Sequence, residues 1–255
     1  MDALPPVGLG TMGIDDPGVI ETAVDAGYRH LDTAQIYENE AVVGQGLADS
    51  DLDRTEVTLA TKLWIDSLAP EDVEPGTRTS LDRLGVDAVD LLYVHRPRGD
   101  YDPEGTMAAV GDVAEQGLTD AVAVSNFTPE QYETAQANCG APIVANQVEF
   151  HPLFQQRDLL AHAREHDYTV VAYSPLAGGE VFDIPEIQEI AERHDTTAAA
   201  VAIAWVLSYD RVAAIPKASS RGHLEANLAA QDLTLDSEDI ERIEGIDREV
   251  ELFPE

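Results

Sequence analysis

The sequence has few basic residues and one cysteine, and both shortages exclude classes of function. It carries 15 Lys and Arg against 49 Asp and Glu among 255 residues, a formal net charge of -34. A chain this acidic repels phosphate backbones and anionic membrane surfaces, so we expect neither a nucleic-acid-binding nor a membrane-bound protein. The lone cysteine, Cys139, excludes an intrachain disulfide and a cysteine-based metal site.

Long apolar runs are also missing. No stretch approaches the ~20 apolar residues of a membrane-spanning helix, and residues 1–10 lack the basic and apolar regions of a secretion signal. The sequence therefore predicts a cytoplasmic protein, and its 44% hydrophobic residues suffice for a sizeable core.

The charge pattern also indicates the salt conditions in which the protein works. Acidic residues are spread along the whole chain, and lysine occurs only at Lys62 and Lys217. In concentrated salt the Debye length shrinks to ~3 Å, which screens the self-repulsion of such a surface. We interpret the chain as a protein of a salt-adapted, halophilic organism.

Eight short apolar runs alternate with amphipathic stretches along the chain. They are rich in Val, Ile, Leu and Ala without polar alternation, as in strands buried on both faces of a parallel sheet. The predicted strands are residues 7–12, 30–34, 57–63, 89–95, 121–125, 143–150, 169–175 and 212–216. Helical stretches with capping residues separate them, such as 40–47 after Asn39 and 131–137 after Thr128. Eight β–α units predict an α/β protein, a single (β/α)8 TIM barrel over residues 1–255.

The alternative fold is a doubly wound sheet, which needs a glycine-rich phosphate loop after its first strand. The segment Gly-Leu-Gly-Thr-Met-Gly at 8–13 is glycine-rich, but a lone loop of this kind is weak evidence for a dinucleotide-binding fold. No composition boundary or linker divides the chain, so one barrel domain is the simpler prediction.

Titratable side chains follow the predicted strands at the end where a (β/α)8 barrel holds its active site. Asp32 and Tyr37 come at strand 2, Lys62 ends strand 3 and His95 ends strand 4. An ammonium about 4 Å from the Tyr37 phenol would favour the phenolate by up to ~4 kcal/mol and lower its pKa from ~10. Lys62 is the candidate cation, Asp32 would keep it charged, and a neutral His95 could donate to a carbonyl oxygen. This set predicts proton donation to an oxygen that becomes an alkoxide, with an external hydride donor.

Six motifs, in order and at matching spacing, resemble the aldo-keto reductase family. They are Gly-Leu-Gly-Thr at 8–11, Asp-Ala-Gly-Tyr-Arg-His-Leu-Asp-Thr-Ala-Gln-Ile-Tyr at 25–37, Ala-Thr-Lys-Leu-Trp at 60–64, Asp-Leu-Leu-Tyr-Val-His at 90–95, Val-Ser-Asn-Phe at 124–127 and Ile-Pro-Lys at 215–217. The resemblance implies an enzyme that reduces aldehydes and ketones with NADPH or, less often, NADH. It also implies that Tyr37 is the general acid/base and that Asp32, Lys62 and His95 complete a catalytic tetrad.

A cofactor site is implied by the same resemblance. Ser125, Asn126 and Gln147 would hold the nicotinamide carboxamide, Tyr173 would stack on its ring, and Lys217 would receive the adenosine ribose and its 2′-phosphate. Further cofactor contacts are implied for Gly10, Thr11, Met12, Ser174, Leu176, Ser219, Arg221, His223 and Asn227.

His223 departs from the family pattern, because many NADPH-dependent members carry arginine at that position. An arginine fork grips a phosphate through two donors, whereas a neutral imidazole offers one. Arg221 would supply the missing charge if it turned inward. We therefore predict that NADPH is preferred over NADH, with a relaxed preference.

The predicted substrate pocket is apolar and open. By position in the family, Trp64, Phe150 and His95 would line it, and an apolar pocket suits small carbonyl compounds. The segments after strand 7 and after residue 247 are short, which predicts an open mouth and broad specificity. Small 2-oxoaldehydes, sugar-derived carbonyls and diketo sugar acids are the candidate substrates, and we expect a monomer.

The sequence also allows a non-enzymatic function and contains a possible zinc motif. A nicotinamide-binding regulatory subunit that senses redox state for a partner is the alternative function, although it has no need of a proton donor at Tyr37. The spelling His-Ala-Arg-Glu-His at 162–166 fits a zinc motif, but it lies on a predicted outer helix without a third ligand in view. We interpret it as a solvated helix face and predict no metal site.

Overall fold

Eight parallel strands follow one another in chain order within residues 4–254, the part of the chain that this computed structural model describes. Residues 1–3 and 255, the two ends of the predicted 1–255 domain, lie outside the described residues. The strands are β1 Leu9–Gly10, β2 His30–Asp32, β3 Thr58–Leu63, β4 Val89–Val94, β5 Thr119–Ser125, β6 Ile143–Glu149, β7 Thr169–Tyr173 and β8 Val212–Ala214. A parallel bridge between Val7, just before β1, and Ala214 in β8 joins the first strand to the last. This closed order confirms the (β/α)8 barrel and excludes a doubly wound sheet.

Helices connect the strands and surround the barrel. They are α1 Pro17–Ala26, α2 Glu40–Asp49, α3 Pro70–Leu84, α4 Gly105–Glu115, α5 Pro129–Cys139, α6 Arg157–His166, α7 Pro185–Arg193, α8 Ala198–Leu207, α9 Arg221–Ala229 and α10 Ser237–Glu244. Short 3₁₀ segments lie at Gln35–Tyr37, Arg54–Glu56, Ile65–Ser67, Ala177–Asp183 and Ala230–Asp232. Within residues 4–254, no helix has the length and apolar character needed to cross a membrane.

The predicted helix caps have different outcomes. Thr128 caps α5 as expected, because its hydroxyl accepts the Gln131 N–H. Asn39 occupies the N-cap position of α2, but its side chain makes no capping hydrogen bond. Its buried side-chain amide instead donates to the carbonyls of Thr11 at 2.7 Å and Ile14 at 3.0 Å, and thereby ties the loop after β1 to the start of α2.

Two apolar layers support the active end of the barrel. A large core of buried side chains lies between the sheet and the helices, with Trp205 as one of its largest members. The barrel interior is filled mainly by small residues, including Ala60, Ala123 and Ala145, beside the buried ring of Tyr93. Because the alanine side chains are small, they leave room inside the barrel, near its open end, for a long side chain such as Lys62.

Candidate active site

The parallel register of β2, β3 and β4 brings the predicted tetrad to one end of the barrel. Asp32, the last residue of β2, pairs with Ala60, and Lys62 on β3 pairs with Tyr93 on β4. His95 follows β4 directly, and its backbone N–H donates to the carbonyl of Leu63 at 3.1 Å. Tyr37 ends the 3₁₀ segment Gln35–Tyr37, one turn after β2. The structure therefore brings all four predicted side chains together.

Lys62 and Asp32 form a buried ion pair at the base of this cluster. Their side chains are 0% and 1% exposed, and the Lys62 ammonium donates to the Asp32 carboxylate and, at 2.9 Å, to the Thr33 carbonyl. The second Asp32 oxygen accepts the Gln147 side-chain N–H at 2.8 Å. Burial alone disfavours the ammonium, but the charge of Asp32 and the nearby Tyr37 oxygen outweigh it and raise the pKa of Lys62. Lys62 is therefore a fixed positive charge.

Tyr37 lies above this pair with its ring facing the pocket. The Lys62 Nζ is 5.3 Å from the centre of the Tyr37 ring, and the His95 ring meets it edge-on at 5.9 Å. Burial raises the pKa of the phenol, and the Lys62 charge opposes that rise without cancelling it. The sequence predicts that Lys62 lowers this pKa below its ordinary value, and that prediction is wrong for the protein alone. The loss of hydration on burial raises the pKa of the phenol by more than the Lys62 charge, which Asp32 also shares, lowers it. Tyr37 is protonated and can act as an acid.

His95 is held neutral beside Tyr37, as predicted. Burial, followed by the positive charges of Lys62 and Arg96, lowers its pKa to about 2. The Trp64 ring packs edge-on against the imidazole, with ring centres 4.9 Å apart. A neutral imidazole in this position can donate one hydrogen bond to a substrate oxygen without taking up a proton.

A cleft opens above the tetrad, at the carboxyl ends of the strands. Its walls contain many of the predicted site residues, namely Gly10, Thr11, Met12, Asp32, Tyr37, Trp64, His95, Asn126, Gln147, Tyr173, Ser174 and Lys217. Sequence reasoning missed Ile36, Arg96, Ile215 and Phe253 among the lining residues. Ile36 and Arg96 are neighbours of Tyr37 and His95 in the chain, which was the available signal for both.

Phe150 does not line this cleft, so its predicted substrate contact is wrong. The side chain is fully buried and packs against Trp205 at 5.2 Å and Tyr209 at 5.5 Å between ring centres. Successive residues of a strand point to opposite faces, and Phe150 has the parity of Val148, which also faces the helix layer. Gln147 has the opposite parity and reaches the cleft.

Asn126 and Gln147 present amide groups to the cleft beside the partly exposed ring of Tyr173. The Asn126 amide donates to the His95 carbonyl at 3.2 Å and to the Ser125 hydroxyl at 3.0 Å, and its oxygen accepts from the Tyr173 hydroxyl at 2.9 Å. Asn126 adopts a left-handed backbone with φ of 63°, a conformation that costs free energy and is common at binding sites. Amide donors and acceptors next to an aromatic face fit a planar aromatic ring that carries a carboxamide group.

The predicted adenosine end of the cofactor site lies around the start of α9. Lys217 is exposed and lines the cleft, whereas Ser219 and His223 are exposed outside it. Arg221 does not turn inward, because its guanidinium donates to Glu225 one helical turn along at 2.9 Å. Three further predicted contacts, Leu176, Ser125 and the buried Asn227, also lie outside the cleft lining.

The carboxyl-terminal segment is fastened over the cleft by a buried carboxylate that the sequence did not reveal. Glu149 accepts the backbone N–H groups of Leu252 at 2.7 Å and Phe253 at 3.0 Å, and the His151 ring nitrogen lies 2.8 Å from it. Burial raises the pKa of Glu149, but these hydrogen bonds outweigh burial and lower it. Phe253 is thereby held on the cleft wall, with its ring centre 5.7 Å from that of Tyr173.

For the carbonyl reduction that the sequence predicts, we expect Phe253→Ala to raise the substrate KM by up to about tenfold with little change in kcat, because it removes part of an apolar wall worth ~1–2 kcal/mol. Glu149→Gln should raise KM in the same direction by loosening the segment. Steady-state kinetics with an aldehyde checks both. The matched control is Phe182→Ala, since Phe182 is similarly exposed but lies outside the cleft lining. An unchanged KM in both test variants would show that the segment does not contact substrate.

Residues 6–248 match the sequence profile of the Aldo/keto reductase family. A methylglyoxal reductase, DkgB, of Escherichia coli O157:H7 is 39% identical over 251 residues, covering 96% of this chain and 94% of that protein. Among solved structures, a putative 2,5-diketo-D-gluconic acid reductase B superposes with a TM-score of 0.92 at 34% identity, over 94% of this chain and 87% of the other. The aldo-keto reductase MGS-M4 from a Medee basin deep-sea metagenome library gives a TM-score of 0.94 at 31% identity, over 99% and 94%.

Proposed function

The chain belongs to the aldo/keto reductase family, and from that premise we propose that Tyr37, Lys62 and Asp32 carry the reduction of a carbonyl group to an alcohol. Family membership makes the protein an oxidoreductase that acts on small carbonyl substrates with a nicotinamide cofactor. The observation that supports these residue roles is the buried Lys62–Asp32 pair directly beneath a protonated phenol on the cleft wall.

The four side chains divide the proton chemistry between them. A bound nicotinamide cofactor supplies the hydride. Tyr37 donates its hydroxyl proton to the carbonyl oxygen, and the Lys62 ammonium stabilises the phenolate that remains. Asp32 keeps Lys62 charged and oriented, while neutral His95 donates to the carbonyl oxygen and fixes its direction. Solvent then returns a proton to Tyr37.

Asn126, Gln147 and Tyr173 are the residues we propose for the nicotinamide end of the cofactor. They offer amide groups and an aromatic face within one wall of the cleft. Ser125 would act by orienting Asn126, since its hydroxyl accepts the Asn126 N–H and donates to the Gln147 carbonyl at 2.9 Å. Gly10 lets β1 lie close to the backbone after β8, because a Cβ there would lie 2.6 Å from the Ile215 carbonyl oxygen. The remaining proposed contacts are Thr11, Met12, Ser174, Leu176 and, toward the adenosine end, Ser219, His223 and Asn227.

Lys217 supports our proposal that NADPH is preferred over NADH. It places an ammonium on the cleft wall, whereas Arg221 is engaged with Glu225. We expect Lys217→Ala to raise the KM for NADPH about 10- to 100-fold, the value of a charge-assisted hydrogen bond, and to leave the KM for NADH nearly unchanged. Arg221→Ala is the matched control and should leave both constants close to wild type. Equal losses for both cofactors in Lys217→Ala would place this residue away from the 2′-phosphate.

The candidate substrates are small 2-oxoaldehydes, sugar-derived carbonyls and diketo sugar acids. The similarity to methylglyoxal and 2,5-diketogluconic acid reductases supports this class. The test is the initial rate of NADPH and NADH oxidation in molar KCl with methylglyoxal and a panel of such carbonyls, with the alcohol identified as product. Cofactor binding without oxidation of any member of the panel would favour a regulatory, redox-sensing subunit instead.

Two further proposals concern the protein as a whole. The net charge of -34 supports salt adaptation, so activity and folded fraction should fall when KCl is dialysed away. Full activity in dilute buffer would end that proposal. We also propose a monomer, because one chain supplies every tetrad side chain, and sedimentation in molar KCl tests it.

A further inference from the structure

Three side chains of metal-binding type meet on the outside of the barrel, between α5 and α6. His162 and His166 lie one turn apart on the same face of α6, and Glu133 faces them from α5. The Glu133 Oε1 is 3.5 Å from the His162 Nε2 and 3.8 Å from the His166 Nε2. The neighbouring helix thus supplies a third candidate ligand, which the sequence did not reveal because it has no fixed spacing from the two histidines in the chain.

His162 is held in the orientation that a metal ligand needs. Its side chain is only 10% exposed, and its Nε2 is buried with no hydrogen-bond partner among residues 4–254. Its other ring nitrogen, Nδ1, lies 2.9 Å from the hydroxyl of the buried Tyr168. When Nδ1–H donates to that oxygen, the Nε2 lone pair is free for a cation. A ring fixed through its second nitrogen is the usual support for a histidine ligand.

Aromatic packing holds the second imidazole beside the first. The His162 and His166 rings stack with centres 4.0 Å apart and an angle of 24° between their planes. Tyr132 packs edge-on against both rings at 5.6 Å and 6.4 Å, and itself stacks on Tyr168 at 4.1 Å. Because stacked rings lie in nearly parallel planes, one imidazole must turn out of the stack before both Nε2 atoms can reach one ion. His166, whose side chain is 35% exposed, is the freer of the two to do so.

The donor spacing suits a small divalent ion. Ligand atoms of the three side chains all lie within 4.8 Å of one another. Donors bound about 2.0–2.1 Å from a tetrahedral Zn²⁺ are about 3.4 Å apart, close to the two spacings above. Two imidazoles and a carboxylate favour Zn²⁺, Ni²⁺ or Cu²⁺ over Mg²⁺ and Ca²⁺, which prefer oxygen ligands alone.

We propose that Glu133, His162 and His166 bind one divalent transition-metal ion of the Zn²⁺ class, which clamps α5 to α6. The helix α6 ends at His166 just before β7 begins, so the site lies toward the end of the barrel opposite the cleft. None of the three residues lines the cleft. The ion therefore stabilises the fold and leaves the chemistry of Tyr37 unchanged.

The test is Zn²⁺ titration of the chelator-treated full chain by calorimetry, in molar KCl with excess Mg²⁺, combined with thermal unfolding. Wild type should bind one Zn²⁺ and gain thermal stability. His166→Gln and Glu133→Gln should bind at least about tenfold more weakly and gain little. The matched control for charge is Glu192→Gln, an exposed glutamate of α7, and His194→Gln, whose imidazole lies beside the Asp239 carboxylate, controls for loss of an imidazole.

The ligand set can also be read directly. Cu²⁺ bound to wild type should show nitrogen couplings from two imidazoles by electron paramagnetic resonance, and His166→Gln should show one. Zn²⁺ bound equally by wild type, His166→Gln and Glu133→Gln would indicate adventitious carboxylate binding and overturn the site. Circular dichroism of each variant distinguishes lost binding from lost folding.

Discussion

Tyr37→Phe is expected to lower kcat for carbonyl reduction by about 10²–10⁴-fold while cofactor affinity stays near wild type. The substitution removes one oxygen atom and keeps the ring that packs edge-on against His95. Because burial keeps the phenol protonated and the Lys62 ammonium can stabilise the phenolate after transfer, the lost group is the proton donor itself. Steady-state kinetics and fluorescence titration of NADPH separate the rate effect from binding.

The matched control for this substitution is Tyr173→Phe in the same cleft. Tyr173 donates its hydroxyl to Asn126, so its loss should affect cofactor binding by about one hydrogen bond, ~1 kcal/mol, more than it affects kcat. If Tyr37→Phe kept a kcat within about tenfold of wild type, another group would have to donate the proton.

Lys62→Met should destabilise the fold by about 3–5 kcal/mol as well as remove activity. The substitution keeps the length of the side chain and deletes the charge, leaving the 1% exposed Asp32 carboxylate with Gln147 as its remaining side-chain partner. A buried carboxylate without a counter-charge is strongly disfavoured. Chemical denaturation in molar KCl measures the free energy of unfolding of the variant and of wild type.

The double variant Lys62→Met/Asp32→Asn separates stability from chemistry. Removing both charges should recover much of the lost free energy of unfolding, because no unpaired charge is left in the barrel. Activity should stay absent, since nothing then stabilises the Tyr37 phenolate. If the free energy of unfolding of Lys62→Met lay within about 1 kcal/mol of the wild-type value, the buried Asp32 carboxylate would not need the Lys62 charge to stabilise it.

Local patterns were sufficient to predict the strands. Runs such as 89–95 and 143–150 are mainly apolar because both faces of a barrel strand are buried, and the structure forms β4 and β6 there. The strand at 7–12 is the main difference, since only Leu9–Gly10 has ladder pairing and the following loop is tied down by Asn39. The buried Asn39 side chain bonds to this loop instead of making the helix-capping hydrogen bond that its position in the sequence favours.

The tetrad could be placed from the sequence because the ends of parallel strands meet at one edge of the barrel. Phe150 lies on the face of its strand that points away from the cleft, and the pKa of Tyr37 depends on how deeply its phenol is buried. The motifs show neither property. Long-range partners were out of reach for the same reason. Glu149 holds Phe253 across more than a hundred residues, and Glu133 reaches the histidines of α6 from a different helix.

The most direct measurement is the single-turnover rate at which pre-bound NADPH is oxidised by methylglyoxal, in H₂O and in D₂O, for wild type and Tyr37→Phe. If Tyr37 donates its proton as the carbonyl is reduced, the wild-type rate slows in D₂O, and the variant is about 10²-fold or more slower. Equal rates for the two proteins, with no response to D₂O, would contradict proton donation by Tyr37 and with it the central role of the buried Lys62–Asp32 pair.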